Sequence, residues 1–152
     1  MKISQRGLYA LKALIHLAEA HARGLVKIHE IAEQESIPEK FLEGILVILK
    51  NARLVSSQRG RSGGYRLRRP PGEIFAGEVV RIVDGPLAPF ADAVELAQRV
   101  RTEPRHAGLF ELFLEVRNSA AAILDHTSLE NLVERNRRLL ARRASDQRRR
   151  RG

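Results

Sequence analysis

Apolar residues recur along this chain in steps of three and four, with one short interruption. Leu8, Leu11, Leu14, Ile15 and Ala18 share one face of a predicted helix over Met1–Ala22, with Lys12 outward and Ser4 as its N-cap. Gly24 breaks that helix, and Ile28, Ile31 and Ala32 predict a second over Ile28–Gln34. Glu35-Ser36-Ile37 leaves room only for a tight connection. Pro38 then sits in the first turn of a third helix, where its missing N–H is tolerated. Phe41, Leu42, Ile45, Leu46, Ile48 and Leu49 form the buried side of this third helix, leaving Glu39, Lys40, Glu43 and Lys50 outward.

The helical period then stops. The stretch from Asn51 to Arg69 reads as a hairpin with β-prone residues on either arm, its turn supplied by Gly60, Gly63 and Gly64. Arg59, Arg61, Arg66, Arg68 and Arg69 surround that turn. Two short helices joined by about three residues, followed by a cationic flap, are the layout of a winged helix-turn-helix that reads DNA. Lys2, Ser4, Arg6 and Tyr9 cluster at the start of the first helix, where a phosphate can meet a helix N-terminus and nearby cations.

After Pro70-Pro71-Gly72, Ile74 to Val83 predicts a helix that ends at Asp84-Gly85-Pro86. Asp92 to Val100 fits an amphipathic helix over a pocket, and Ala107 to Leu124 a long one. Leu109, Phe113, Val116, Ala120 and Ile123 line one side of the long helix, while Phe110, Leu112, Leu114 and Leu124 make a second apolar side. A helix apolar on two sides needs two partners: its own subunit and, we expect, the same helix of a second copy. Thr127-Ser128-Leu129-Glu130 has the spacing of a capping box and opens a last helix through Leu140, before the Arg148–Arg151 run trails off.

The expected fold is therefore mainly α with a small β-wing. The expected organisation is a winged helix-turn-helix over residues 1–84, a connecting segment over 85–108, dimerisation and C-terminal helices over 109–146, and a basic tail over 147–152.

Charge sharpens this division. Residues 1–72 carry 13 Lys+Arg against 6 Asp+Glu, residues 73–134 carry 5 against 11, and residues 135–152 carry 9 Arg against Asp146. The ends attract phosphate, and the acidic middle suits self-association or regulation. Cysteine is absent, which removes disulfides, thiolate catalysis and cysteine-held metal. The chain shows no apolar run long enough for a membrane and no signal-peptide core, so a cytoplasmic protein is expected. G-x-S-x-G, H-E-x-x-H and P-loop motifs are also missing, so no enzyme is expected. His16 and His21, five apart, read as structural or solvent-facing. Two other readings of the same charges remain open: a protein-interaction module, and a non-specific nucleic-acid binder that uses the Arg-rich tail.

From Met1 to about Gly85 the chain resembles the Rrf2 family of bacterial transcription regulators. The resemblance rests on Gly7-Leu8-Tyr9-Ala10-Leu11-Lys12-Ala13-Leu14, Glu30-Ile31-Ala32, Ile37–Glu43 and Leu54–Gly60. Its most specific part is Arg59-Gly60-Arg61-Ser62-Gly63-Gly64-Tyr65-Arg66-Leu67, followed by Pro70-Pro71 and Ile74. The resemblance implies a homodimer on a near-palindromic operator, most often a repressor, with the third helix in the major groove and the wing in the minor groove. It places Glu39, Lys40 and Glu43 on the reading face, and Arg59, Arg61 and Ser62 on DNA. Gly63 and Gly64 shape the turn, and Tyr65 packs the wing to the body.

The segment where iron–sulfur members place their cysteines has none here. The chain is therefore similar to the family's cofactor-free, cysteine-metabolism branch: no cofactor or metal is expected, and an effector would be a small molecule or a protein. Two positions depart from the family pattern. Gly44 stands where a Gln reader is common, and Arg53 replaces the Gly that usually ends the recognition helix.

Overall fold

The computed structural model describes residues 2–86 and 92–151, so the expectations for Met1, for Leu87–Ala91 in the connecting segment and for Gly152 lie outside the described residues. Ser4 accepts a hydrogen bond from the Gly7 N–H at 3.0 Å and starts α1 (Gln5–Glu19). The first helix is shorter than its apolar spacing predicts. Its last residues, His21–Arg23, form a separate 3-10 turn, after which Gly24 takes φ +97°. The helices α2 (Ile28–Glu35) and α3 (Glu39–Asn51) follow, then the antiparallel strands β1 (Val55–Gln58) and β2 (Gly64–Leu67). α4 (Ala76–Asp84) leads to α5 (Ala93–Thr102), α6 (Ala107–Asp125) and α7 (Leu129–Arg151).

One core binds α1 to α4 and the hairpin. Leu14, Ile31, Leu42, Leu46, Leu49, Leu54, Ile74 and Val79 are fully buried in it, and Leu129 of α7 joins them. Three positions differ from the apolar pattern. Leu8 and Phe41 are exposed rather than buried, and the Phe41 ring lies edge-on to Tyr9 with centroids 5.7 Å apart. Lys12 is drawn inward, where its ammonium donates to the Glu35 carbonyl.

The start of α7 also corrects an expectation. The capping box is Ser128 with Asn131, one residue beyond the predicted Thr127–Glu130. Asn131 N–H donates to Ser128 Oγ at 3.1 Å, and Ser128 N–H donates to Asn131 Oδ1 at 3.0 Å. Thr127 is unavailable as a cap because its hydroxyl closes α6 on the Ile123 carbonyl at 2.7 Å. Helix α7 continues to Arg151, so the basic end is helical where a trailing tail was expected.

Candidate nucleic-acid interface

The turn between α2 and α3 is built without glycine. Ser36 closes α2 in the left-handed region at φ +53°, and the Ile37 N–H donates back to the Ala32 carbonyl at 2.9 Å. The end of α3 repeats the device with Arg53 at φ +60°. Arg53 N–H reaches the Lys50 carbonyl at 3.0 Å and Leu54 N–H the Leu49 carbonyl at 2.9 Å, the double bond of a Schellman motif. Leu49 and Leu54 are both fully buried in the same core. The departure from glycine at residue 53 therefore keeps the turn and places an arginine in a left-handed conformation.

Between these two turns α3 buries Leu42, Ile45, Leu46 and Leu49. Its opposite face presents Lys40, Glu43, Gly44, Val47 and Lys50 to solvent. Glu39, at the first helical position, lies beside His29 of α2, Oε2 to Nδ1 3.2 Å.

The wing pairs Gln58 with Gly64 and Val55 with Leu67. It is fastened to the body where Tyr65 and Val26 exchange two backbone hydrogen bonds of 2.8 Å each. This approach requires glycine at 64, because a Cβ there would lie 2.5 Å from the Val26 carbonyl oxygen. Gly60 turns the tip at φ +104°. Gly63 serves differently from a flexible turn residue: a side chain there would run into the Gln58 carbonyl.

Several arginines of the fold are paired with carboxylates. Arg23 meets Glu30, Arg69 meets Glu78, Arg81 meets Asp125 and Arg99 meets Glu95. Among the described residues Arg59, Arg61, Arg66 and Arg68 meet no carboxylate, and all four are exposed. Behind the wing lies a cavity of about 430 Å³ whose lining includes Lys27, His29, Lys50, Ser57, Arg59 and Tyr65. Lys27 stands at the N-terminus of α2, which has no side-chain cap. Lys27 and Lys50 were not in the sequence-derived set. The signal for them is tertiary, since 23 residues separate two cations that share one cavity.

The cluster at the start of α1 is partly engaged inside the fold. Ser4 donates through its N–H to Asp84 Oδ2 at 2.9 Å and through its hydroxyl to Asp84 Oδ1. The absence of a Gly7 side chain leaves the room Asp84 occupies. Arg6 donates to the Val83 carbonyl at 3.4 Å, and Tyr9 is half-buried against Phe41. Lys2 is exposed.

The second half is joined through α4. Arg81 holds Asp125 of α6 with two hydrogen bonds, 2.6 and 2.8 Å. The guanidinium keeps the Asp125 carboxyl below the usual carboxylate range, and the same pair raises Arg81. The hydrogen bond from Arg23 likewise lowers Glu30. Glu30 and Glu35 flank the buried His16, whose Nδ1 lies 3.0 Å from Glu35 Oε1.

On α6 only Ala121 is fully buried. Leu109, Leu112, Val116 and Ile123 face solvent, while Phe113 and Ala120 of the predicted stripe are half-buried. Leu112 thus belongs to the outward face, one position from where the sequence spacing set it.

The family profile described as Rrf2, iron-dependent transcriptional regulator, matches residues 3–135. The chain belongs to the Rrf2 family. It is a DNA-binding transcription regulator. It is 37% identical over 133 residues to the HTH-type transcriptional regulator CymR of Bacillus subtilis, an alignment covering 88% of this chain and 90% of that one. The solved structure of CymR, described as the global cysteine regulator of B. subtilis, superposes with a TM-score of 0.73 at 34% identity, over 88% of this chain and 97% of that one. The solved T. potens IscR superposes with a TM-score of 0.68 at 28% identity, over 90% and 88%.

The iron in the family's description finds no matching donor set in this member. The chain contains no cysteine, and the described residues hold no group of three His, Asp or Glu placed for a metal. Iron–sulfur clusters are held by thiolates, so the residues present do not fit one. Among the described residues no helix is long and apolar enough to cross a membrane.

Proposed function

We propose that this Rrf2 regulator acts in the cytoplasm as a homodimeric repressor on a near-palindromic operator. The observation that carries the reading is the row of unpaired wing arginines beside the solvent-facing side of α3. Arg23, Arg69 and Arg81 are neutralised by carboxylates, whereas these wing arginines meet none and are free to take an anion. α3 enters the major groove, where Glu43 accepts from a cytosine amino group and Lys40 contacts a purine edge or phosphate. Arg59 and Arg61 hold the wing on the backbone or in a narrow minor groove, with Ser62 at its tip. Lys27 and Lys50 receive a phosphate in the cavity between wing and α2. The outward face of α6 meets its copy in a second subunit and sets the distance between the two α3 helices.

Footprinting on an operator selected from random duplexes tests this. Two protected half-sites related by a dyad, about 10 base pairs apart centre to centre or a multiple of that, are expected. A single unpaired site, or protection without sequence preference, would overturn it. The sign of regulation is read by transcription in vitro from a promoter containing that site. Added protein is expected to lower the transcript.

A further inference from the structure

The solvent-facing side of α3 contains one side chain that neither the fold nor phosphate chemistry explains. Glu43 and Gly44 lie three and four residues after Lys40, Val47 lies four and three after them, and Lys50 three further on, so the five share a face. Val47 is 56% exposed in the middle of it. Phe41, the other exposed apolar side chain of this helix, is accounted for by its edge-on contact with Tyr9. Next to Val47, the backbone at Gly44 has no neighbouring atom within 4 Å of where a Cβ would stand. The face therefore has an aliphatic group beside a bare strip of helix, flanked by the carboxylate of Glu43.

We propose that Val47 reads thymine by packing on its C5-methyl group in the major groove, with Gly44 leaving the room for the base edge to come close. This rests on the reading of α3 as the major-groove helix. The thymine methyl is the apolar group that a major groove offers, and an aliphatic side chain is its complement. Valine suits the task because its β-branch leaves one strongly preferred rotamer in a helix, so little freedom is lost on contact. Val47 lies one turn beyond Glu43, about 6 Å along the helix axis, against about 3.4 Å per base-pair step. The thymine is thus one or two base pairs from the position that Glu43 reads. Gly44, which takes away a Gln contact on family resemblance, makes an apolar contact possible in its place.

The test uses the full chain and its selected operator, with each thymine replaced in turn by deoxyuridine, a change that removes the methyl alone. One position in each half-site is expected to lose about three- to tenfold in affinity. In Val47→Ala, binding to the intact operator falls by a similar factor, and deoxyuridine at that position has no further effect. A flat scan, with every replacement within twofold of the intact operator, would overturn the proposal. So would a deoxyuridine effect of unchanged size in Val47→Ala. A selection that yields no operator would instead overturn the underlying reading of α3, and this inference with it.

Discussion

Helix α3 of the winged domain and helix α6 contain similar numbers of leucine and valine, four and five, but dispose of them in opposite ways. In α3, four of thirteen residues are buried, and every one is a large aliphatic side chain. In α6, one of nineteen residues is buried, and it is an alanine. Leu112 and Ile123 of α6 remain 52% and 67% exposed. A helix that keeps its leucines in water is incomplete on its own, because each buried aliphatic side chain is worth about 1.5–3 kcal/mol. The first region finishes its core within one chain; the second needs a partner surface. On the proposed function, the first region presents the reading helix and the second sets the distance between two such helices.

The contrast can be broken most severely at the core. Leu46→Ala is expected to destabilise the chain by about 2–5 kcal/mol in denaturant titration, since a fully buried leucine leaves a cavity. The paired change Leu112→Ala with Val116→Ala is expected to stay within about 1 kcal/mol in the same titration at concentrations where the chain is monomeric. Sedimentation equilibrium would show the reverse ranking: the α6 variant shifts toward monomer by tenfold or more in dissociation constant. Equal stability losses for the two variants would erase the distinction between the regions.

The left-handed arginine sharpens the comparison from the winged side. Arg53→Gly keeps both Schellman hydrogen bonds and relieves a conformation that costs an L-residue about 1–2 kcal/mol. Its midpoint in urea should rise accordingly; a fall would mean that the Arg53 side chain supports the domain in a way its conformation outweighs.

The junction between the regions gives a smaller, pH-dependent effect. Asp125 has its carboxyl lowered in the folded state by Arg81, so the pair adds stability that is full above the unfolded value of about 4 and is lost as pH falls through the lower folded value. With both side chains more than a third exposed, about 1 kcal/mol or less is expected. Asp125→Asn should flatten the acid limb of a stability-versus-pH curve and leave the alkaline limb unchanged. Gly77→Ala should mimic it, because a Cβ at residue 77 would collide with the Asp125 carboxylate. The smallest change is Gly44→Ala, which gains up to about 1 kcal/mol of helix stability in open space while weakening operator binding.

Much of the first half was legible because its period is local. The apolar steps of three and four set α1, α2 and α3 within a few residues, and the glycine spacing set the wing. The misses come from tertiary competition. Leu8 and Phe41 have helical spacing but sit at the rim where α1 meets α3, a position that periodicity does not distinguish from the core. Thr127 has the capping-box spacing, yet its hydroxyl is claimed by the preceding helix, which moves the cap to Ser128. Ser4 was legible as a cap, but Asp84 lies 80 residues further on and nothing local points to it. Lys27 and Lys50 are ordinary surface lysines in sequence and become neighbours only across the cavity behind the wing.

The measurement that bears most directly on the dimeric DNA reader is the salt dependence of operator affinity for the wild type against Arg59→Ala with Arg61→Ala. These two exposed side chains hold nothing in the fold, so the variant's thermal stability should match the wild type within a degree or two. Its affinity should fall by tenfold or more, and the slope of log affinity against log salt should become shallower by about two to four, one for each lost phosphate contact in a dimer. An unchanged slope and affinity would contradict the account, because the unpaired wing arginines would then have no part in holding DNA.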